Sequence, residues 1–266
     1  MWNSSGQTWD RPMKWMLWGT LAILLLMMGS VFITWGEAYT PPELRKKLST
    51  IELNGKKVRV LWPDGDTFRL ILPMGRGPAA RLRGYNTLEN YGPVHKWGKW
   101  KAMELYHVGN QATKLARSKV WKCKTLQGSG GYGRILADCP GLAAAMISKG
   151  LAHVFSVEAS GNPKLLKLQQ EAIRKRVGIW AKGAPSHLVT SVHSASLYRR
   201  RAYHRLISIK TGGSNMYRHS DSYNECAWVC LRGSCMRYVP YKRRYGLEKA
   251  SCLTVKPLPA SRPARR

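Results

Sequence analysis

The chain has 266 residues, and its 44 Lys and Arg against 14 Asp and Glu give it a formal net charge of +30. Apolar residues make up 44% of the chain, which is enough for a buried core and excludes an intrinsically disordered protein. The positive charge indicates a polyanionic partner, and nucleic acid, anionic lipid and acidic wall polymer all fit that description.

The amino-terminal part contains an uncharged, largely apolar run from Trp15 to Gly36. Its 22 residues are long enough to cross a bilayer, and tryptophans near both ends suit the membrane–water interfaces. Arg11 and Lys14 before the run favour an inside amino terminus. Residues 1–40 are therefore predicted to be a single-pass membrane anchor with the rest of the chain outside the cytoplasm. The alternative is a cleaved signal peptide that releases a secreted protein.

A short linker over residues 41–50 leads into a folded domain that is predicted to span residues 51–183. Asn54-Gly55 is a hairpin signal, and strands are predicted at residues 58–62, 67–72 and 81–83. Helices are predicted at residues 101–117, 142–149 and 163–177, the last with Asn162 as its N-cap. Strands followed by a hairpin and helices are typical of an α+β domain.

Residues suited to phosphodiester cleavage occur in one stretch of this domain and in one turn downstream. They are Asp64-Gly65-Asp66-Thr67, Arg81, Asn86-Thr87-Leu88-Glu89 and Tyr132-Gly133-Arg134. Hydrolysis of a phosphodiester needs a cation that gathers phosphate oxygens, a carboxylate that directs water, and positive donors for the charge that develops on phosphorus. All three kinds of group are present in this set.

In order and spacing these residues resemble the staphylococcal nuclease (thermonuclease) family, over about residues 51–182. The resemblance implies a five-stranded OB-fold β-barrel with three helices, calcium-dependent nuclease activity and nucleic acid as the partner, and no protein partner is predicted. It also implies the role of each site residue: Asp66, Asn86 and Thr87 hold Ca²⁺, Glu89 directs water, Arg81 and Arg134 bind phosphate, and Tyr132 contacts the nucleotide.

Four positions depart from the family's pattern. Asn86 stands where the family has a second metal-binding aspartate, which predicts weaker metal binding, with Asp64 as a candidate to compensate. Leu88 replaces a common proline, which predicts a looser loop around the catalytic carboxylate. Ser156 and Glu158 stand where the staphylococcal enzyme has tyrosines near the base, so we expect base stacking to be weaker or supplied elsewhere.

The six cysteines fall into two sets. Cys123 and Cys139 flank a glycine-rich turn between two predicted strands, which favours a cross-strand disulfide. The second set lies in the basic carboxy-terminal region, residues 184–266, and consists of Cys226, Cys230, Cys235 and Cys252. Three disulfide pairings are possible there, and a zinc site is the alternative. Disulfides are favoured because the protein is predicted to be exported.

Three functions follow from these patterns. The first is an exported, membrane-anchored, calcium-dependent nuclease that cuts DNA, with RNA as a second candidate substrate, at low sequence specificity. The second is an OB-fold nucleic-acid-binding module in which Asn86 has disabled the chemistry. The third is an envelope protein whose basic tail binds acidic polymer or lipid. The seven histidines show no metal-ligand spacing and are predicted to be ordinary polar or partly buried residues.

Overall fold

The computed structural model describes residues 48–254. The predicted membrane anchor or signal peptide lies outside these residues. Between residues 48 and 254, none of the helices combines the length and the apolar character that a membrane span requires.

A closed β-barrel forms the first part of the structure. Its six strands are β1 (Leu48–Leu53), β2 (Lys56–Leu61), β3 (Thr67–Leu72), β4 (Gly75–Leu82), β7 (Lys122–Ser129) and β8 (Ile135–Asp138). They pair in the order β1-β2-β3-β4-β8-β7, and β1 closes the barrel by pairing in parallel with β7. Barrel closure leaves none of these strands as a free edge.

The prediction of five barrel strands was wrong by one. Asn54 and Gly55 have φ angles of 51° and 79°, the left-handed conformation that a two-residue hairpin turn requires. This turn folds β1 back onto β2 as an antiparallel pair. The strand before the turn thereby becomes a full member of the barrel.

Three helices lie within a few residues of their predicted positions. They are α1 (Ala102–Arg117), α2 (Pro140–Ser148) and α3 (Pro163–Arg174). The predicted cap of α3 is confirmed, because Asn162 Oδ1 accepts hydrogen bonds from the backbone N–H groups of Lys164 and Leu165 at 2.9 and 3.4 Å. A short helix that was not predicted, α4 (Ala195–Tyr198), follows in the carboxy-terminal region.

Three further sheets lie outside the barrel. Their strands are β5 (Tyr85–Thr87), β6 (His95–Trp97), β9 (Ala152–Val154), β10 (His187–Val192), β11 (Tyr203–Ser208), β12 (Ser214–Arg218), β13 (Trp228–Leu231) and β14 (Ser234–Arg237). The sheets are β5-β9, β10-β11-β12 and β13-β14-β6. In the last sheet β14 of the carboxy-terminal region pairs with β6, which follows the predicted catalytic loop, and β13 pairs with β14.

Three disulfides are formed. Cys123–Cys139 is confirmed, and the second set of cysteines pairs as Cys226–Cys252 and Cys230–Cys235. The disulfide alternative therefore holds and the zinc alternative was wrong.

The carboxy-terminal region shares a hydrophobic core with the segment after Glu89. Tyr91 and Val94 belong to the same buried cluster as Met236 and Leu253. The packing is close, since a Cβ added to Gly92 would lie 2.5 Å from Leu253 Cδ2. The loop that carries the predicted water-directing carboxylate is therefore held from the carboxy-terminal side.

Candidate active site

The turn before β3 places two carboxylates side by side. Asp64 Oδ1 accepts a hydrogen bond from the backbone N–H of Asp66 at 3.1 Å, the local turn that an Asp side chain stabilises. Gly65 lets this turn pack tightly, because a Cβ there would lie 2.7 Å from Thr87 Cγ2. Asp66 is 3% exposed, whereas Asp64 remains partly exposed.

Arg81 on β4 connects the two predicted metal ligands. Its guanidinium donates one hydrogen bond to Asp66 Oδ1 and another to Asn86 Oδ1. Asp66 Oδ1 also accepts from the Thr67 hydroxyl at 3.1 Å. Asp66 Oδ2 accepts from the N–H and the hydroxyl of Thr87 at 2.7 and 3.1 Å. Burial opposes ionisation of Asp66, but the Arg81 charge and the Thr87 hydrogen bond outweigh it and lower the pKa of Asp66.

Asn86 lies on β5 opposite His153 of β9. His153 Nδ1 lies 3.0 Å from the carbonyl of Val154 and so carries the proton, which leaves Nε2 to accept from Asn86 Nδ2 at 3.4 Å. Burial lowers the pKa of His153 to about 4, in agreement with this neutral state. The amide of Asn86 is thereby oriented with its oxygen toward Arg81. No pattern in the sequence indicates this role for His153.

In this structure Thr87 orients the carboxylate of Asp66. Both of its donors bind that carboxylate, and its carbonyl accepts from Asn86 Nδ2 at 3.2 Å. The carbonyl oxygen keeps one lone pair for a further ligand.

Glu89 follows β5 in a loop that is fixed from two sides. Its backbone N–H donates to His95 Nε2 at 3.3 Å, and His95 lies on β6. Burial lowers the pKa of His95 to about 3, so the ring stays neutral and keeps its acceptor. Leu88 is 4% exposed and belongs to a buried cluster with Trp97 and Leu105. These contacts anchor the loop although Leu88 stands in place of the proline.

Arg134 is brought to Arg81 by the turn between β7 and β8. A Cβ added to Gly130 would lie 2.7 Å from Arg81 Cβ, so glycine permits the close approach. Arg134 Nε donates to the carbonyl of Gly131 at 3.0 Å, which orients the guanidinium. Tyr132 at the tip of the turn is 93% exposed, and its ring centroid lies 5.8 Å from Arg134 Cζ.

One cleft of about 1920 Å³ collects most of the predicted site residues. The predicted residues that line it are Arg81, Asn86, Glu89, Tyr132 and Arg134, and Asp64 joins them. Asp66 and Thr87 are buried and do not line the cleft. Asp66 is connected to the cleft through Arg81, which lines the cleft and donates a hydrogen bond to Asp66 Oδ1.

Two carboxylates of the cleft, Asp64 and Glu89, ionise less easily than a free carboxyl group. Burial, together with the nearby Asp66 and Glu89 carboxylates, raises the pKa of Asp64 well above its usual value. Burial and the Asp66 charge also raise the pKa of Glu89, although Arg244, Arg81 and Arg134 act in the opposite direction. A raised carboxylate pKa in a cleft is typical of a group that exchanges protons near neutral pH.

The carboxy-terminal region contributes to the same cleft, which the sequence did not predict. Its residues along the cleft include Tyr203, Arg205, Tyr241, Arg244 and Tyr245. None of them belongs to a motif of a known family. Tyr203 and Arg205 lie in a run of aromatic and basic residues, 198–205, whose sequence fits a polyanion-binding segment and a solvated charge run equally well.

The donor set fits a hard cation such as Ca²⁺. Oxygens of Asp66, Asn86, Asp64 and the Thr87 carbonyl are the ligand types that calcium takes. Arg81 holds one oxygen of Asp66 and the oxygen of Asn86 in this structure. A cation at these oxygens therefore requires the guanidinium to turn away, and the cleft that Arg81 lines gives it room to do so.

Comparison with known proteins bears on the barrel domain as a whole. No curated protein matches the chain. Residues 80–182 match the family model of the staphylococcal nuclease homologues. The match begins within β4, and the strands before it close the same barrel. This match suggests a nuclease or a nucleic-acid-binding protein. Residues 80–182 are thus similar to the staphylococcal nuclease homologues.

Proposed function

We propose that the protein is a calcium-dependent nuclease that hydrolyses phosphodiester bonds of DNA, with RNA as a second candidate substrate, at low sequence specificity. The observation that carries the proposal is the meeting of Glu89 with Arg81 and Arg134 in one cleft above the buried Asp66. The family match and the net charge of +30 support the same substrate class.

The cleft residues divide the chemistry among them. Glu89 accepts a proton from the attacking water and orients it toward phosphorus. Arg81 and Arg134 present planar guanidinium groups that bind two phosphate oxygens each and stabilise the charge of the pentacoordinate transition state. His95 and Gly130 position these groups through the contacts described above.

Asp66, Asn86 and the Thr87 carbonyl would hold the calcium ion, with Asp64 beside them. A bound calcium ion supplies charge neutralisation of the phosphate and polarises its oxygens. Because Asn86 brings no charge, we expect weaker calcium binding than two aspartates would give.

We also propose that the protein is exported and retained at the membrane by residues 15–36, or secreted after cleavage. The three disulfides support this location, because such bonds persist in oxidising compartments.

The test is cleavage of plasmid, single-stranded DNA and RNA by the purified protein, with calcium or with chelator. Glu89→Gln should lower turnover by about 10²–10⁴-fold while DNA binding in chelator stays nearly unchanged. The matched control is Glu171→Gln on α3, where the carboxylate forms a 2.8 Å ion pair with Lys175 and neither residue lines the cleft. Full turnover in the Glu89 variant would overturn the assignment.

The second candidate is a nucleic-acid-binding module without catalysis. The observation that favours it is Arg81, whose guanidinium bridges Asp66 and Asn86 and so occupies the oxygens that calcium would use. This candidate predicts salt-sensitive binding that is indifferent to calcium, and no cleavage with any divalent metal.

A further inference from the structure

Arg244 stands out among the arginines of the carboxy-terminal region by its position. It follows the short helical turn Tyr241–Arg243, and its Nε donates to the carbonyl of Val239 at 3.0 Å. Its guanidinium carbon lies 5.2 Å from the ring centroid of Tyr91. The residue is partly buried and lines the same cleft as Glu89. Tyr91 and Val239 therefore hold the guanidinium in place.

The neighbouring residue, Arg243, differs from Arg244 in that its guanidinium is paired with carboxylates. Arg243 forms ion pairs with Glu225 at 2.9 Å and with Glu248 at 3.6 Å. Within residues 48–254, Arg244 forms no salt bridge with any carboxylate. A partly buried guanidinium in a cleft without a carboxylate partner is suited to an anion that enters the cleft.

The backbone around Arg244 is fixed by long-range contacts. The Cys226–Cys252 disulfide encloses it in a covalent loop. The N–H of Ala250 donates to the Arg243 carbonyl at 3.0 Å, and Leu253 packs on Gly92. Arg244 and the Glu89 loop therefore belong to one packed unit, so that their spacing is preorganised.

A second element of the same region extends the cleft. Arg205 on β11 lies 5.9 Å from the ring of Phe155, and Arg81 lies 5.8 Å from the same ring. Tyr203 on β11 also lines the cleft. The cleft volume of about 1920 Å³ exceeds the roughly 300–1,000 Å³ of ordinary small-molecule pockets. These dimensions, with arginines and aromatic rings along the walls, suit a nucleic-acid strand rather than a single nucleotide.

We propose that the carboxy-terminal region is an integral part of the active site, in which Arg244 binds the reacting phosphate as a third arginine and Tyr203 and Arg205 bind the flanking strand. This inference rests on the proposed function. It extends the site beyond the residues that the family model covers, which end at residue 182.

The test compares Arg244→Gln and Arg244→Lys with Lys242→Gln. Lys242 is exposed on the same turn and does not line the cleft, so its variant removes an equal charge outside the site. Arg244→Gln should lower kcat by about 10²-fold, since it removes a donor to the transition state, and Arg244→Lys should recover only part of the loss. Lys242→Gln should cleave like the wild type.

Binding gives a second readout. In chelator, the dependence of log affinity on log salt should become shallower by about one unit in Arg244→Gln, because one phosphate contact is lost. Added guanidinium ion should restore turnover to Arg244→Ala above a sodium chloride control of equal ionic strength. This rescue separates a missing guanidinium from a damaged fold.

The outcomes are distinguishable. If the wild type cleaves and Arg244→Gln matches Lys242→Gln in kcat and in salt slope, the inference is overturned while the nuclease assignment stands. If the wild type cleaves nothing, the assignment fails, and the salt slope still shows whether Arg244 contacts phosphate. If Arg244→Gln does not fold, Arg244→Lys tests the inference instead. A wild-type kcat in Arg244→Lys would contradict a specific role of the planar guanidinium group.

Discussion

The barrel domain, residues 48–182, and the carboxy-terminal region, residues 184–254, line the same cleft with different chemistry. Every carboxylate of the cleft comes from the barrel domain, Asp64 and Glu89 among them. The described residues that the carboxy-terminal region adds are hydroxyl, aromatic, imidazole and guanidinium groups. The groups suited to directing water and binding a cation thus come from the barrel domain alone. Groups suited to binding a polyanion come from both the barrel domain and the carboxy-terminal region.

The two regions also differ in what stabilises them. The barrel has its own buried cluster, which includes Trp62, Phe68 and Leu142. The carboxy-terminal core instead incorporates Tyr91 and Val94 of the barrel domain. The carboxy-terminal region therefore depends on the barrel domain for its packing, and in return it holds the loop of Glu89.

The largest effect is expected on the barrel side, from Asp66→Asn. The substitution keeps the side-chain shape but leaves the Arg81 guanidinium, which is 17% exposed, without its bonded carboxylate. Breaking a buried ion pair on one side costs about 3–5 kcal/mol of unfolding free energy. Urea unfolding at neutral pH measures this loss.

The matched control for Asp66→Asn is Glu104→Gln. Glu104 forms a 2.6 Å ion pair with Lys182 at the surface, so its loss should leave the unfolding free energy within experimental error. Equal, small losses of unfolding free energy in both variants would contradict the predicted contribution of the Asp66–Arg81 ion pair to stability.

A smaller effect is expected on the carboxy-terminal side, from replacing Cys226 and Cys252 together by serine. The bond spans a separation of 26 residues, which corresponds to about 3 kcal/mol of loop entropy in the unfolded chain. Because Arg244 lies inside this loop, turnover should fall together with stability. Thermal unfolding and plasmid cleavage below the melting transition measure the two effects separately.

The control is the same double replacement at Cys230 and Cys235, whose separation is 5 residues. This short loop removes less entropy, and it does not enclose Arg244. Unchanged turnover in the variant without Cys226–Cys252 would show that the carboxy-terminal region does not position the cleft.

Features governed by neighbouring residues were predictable from the sequence. The Asn54-Gly55 turn and the Asn162 cap depend on contacts within a few residues, and both are present in the structure. The predicted site residues were found by their order and spacing. The structure places Arg81 and Glu89 in one cleft, with Asp66 buried behind Arg81.

Features that depend on distant pairing were not predictable. His95 pairs through β6 with Met236, and Arg244 comes close to Tyr91 only because the carboxy-terminal core packs there. No spacing in the sequence encodes such contacts. The sequence predicts an ordinary polar or partly buried residue at His153, because its role depends on a cross-strand neighbour, Asn86, 67 positions away.

The smallest effect is expected in the pH dependence of stability. It arises from buried, neutral histidines in both the barrel domain and the carboxy-terminal region. Burial lowers the pKa of His95 to about 3 and those of His153 and His204 to about 4. The unfolded chain, with a histidine pKa of about 6.5, then takes up protons first as the pH falls. Each of these buried histidines should therefore cost about 1 kcal/mol of stability between pH 7 and about pH 5.5.

Two carboxylates act in the opposite direction, so variants rather than the wild-type slope decide this prediction. The raised pKa values of Asp64 and Glu89 add stability on acidification, because the folded state binds their protons first. His204→Gln keeps a donor toward the Tyr223 hydroxyl, which lies 3.0 Å from His204 Nε2, and removes the titration. Its loss of unfolding free energy between the two pH values should be smaller than the wild-type loss, whereas His107→Gln, at an exposed position on α1, should match the wild type. If all three proteins lose equal stability, the neutral, buried state of His204 does not contribute to the acid sensitivity of the carboxy-terminal region.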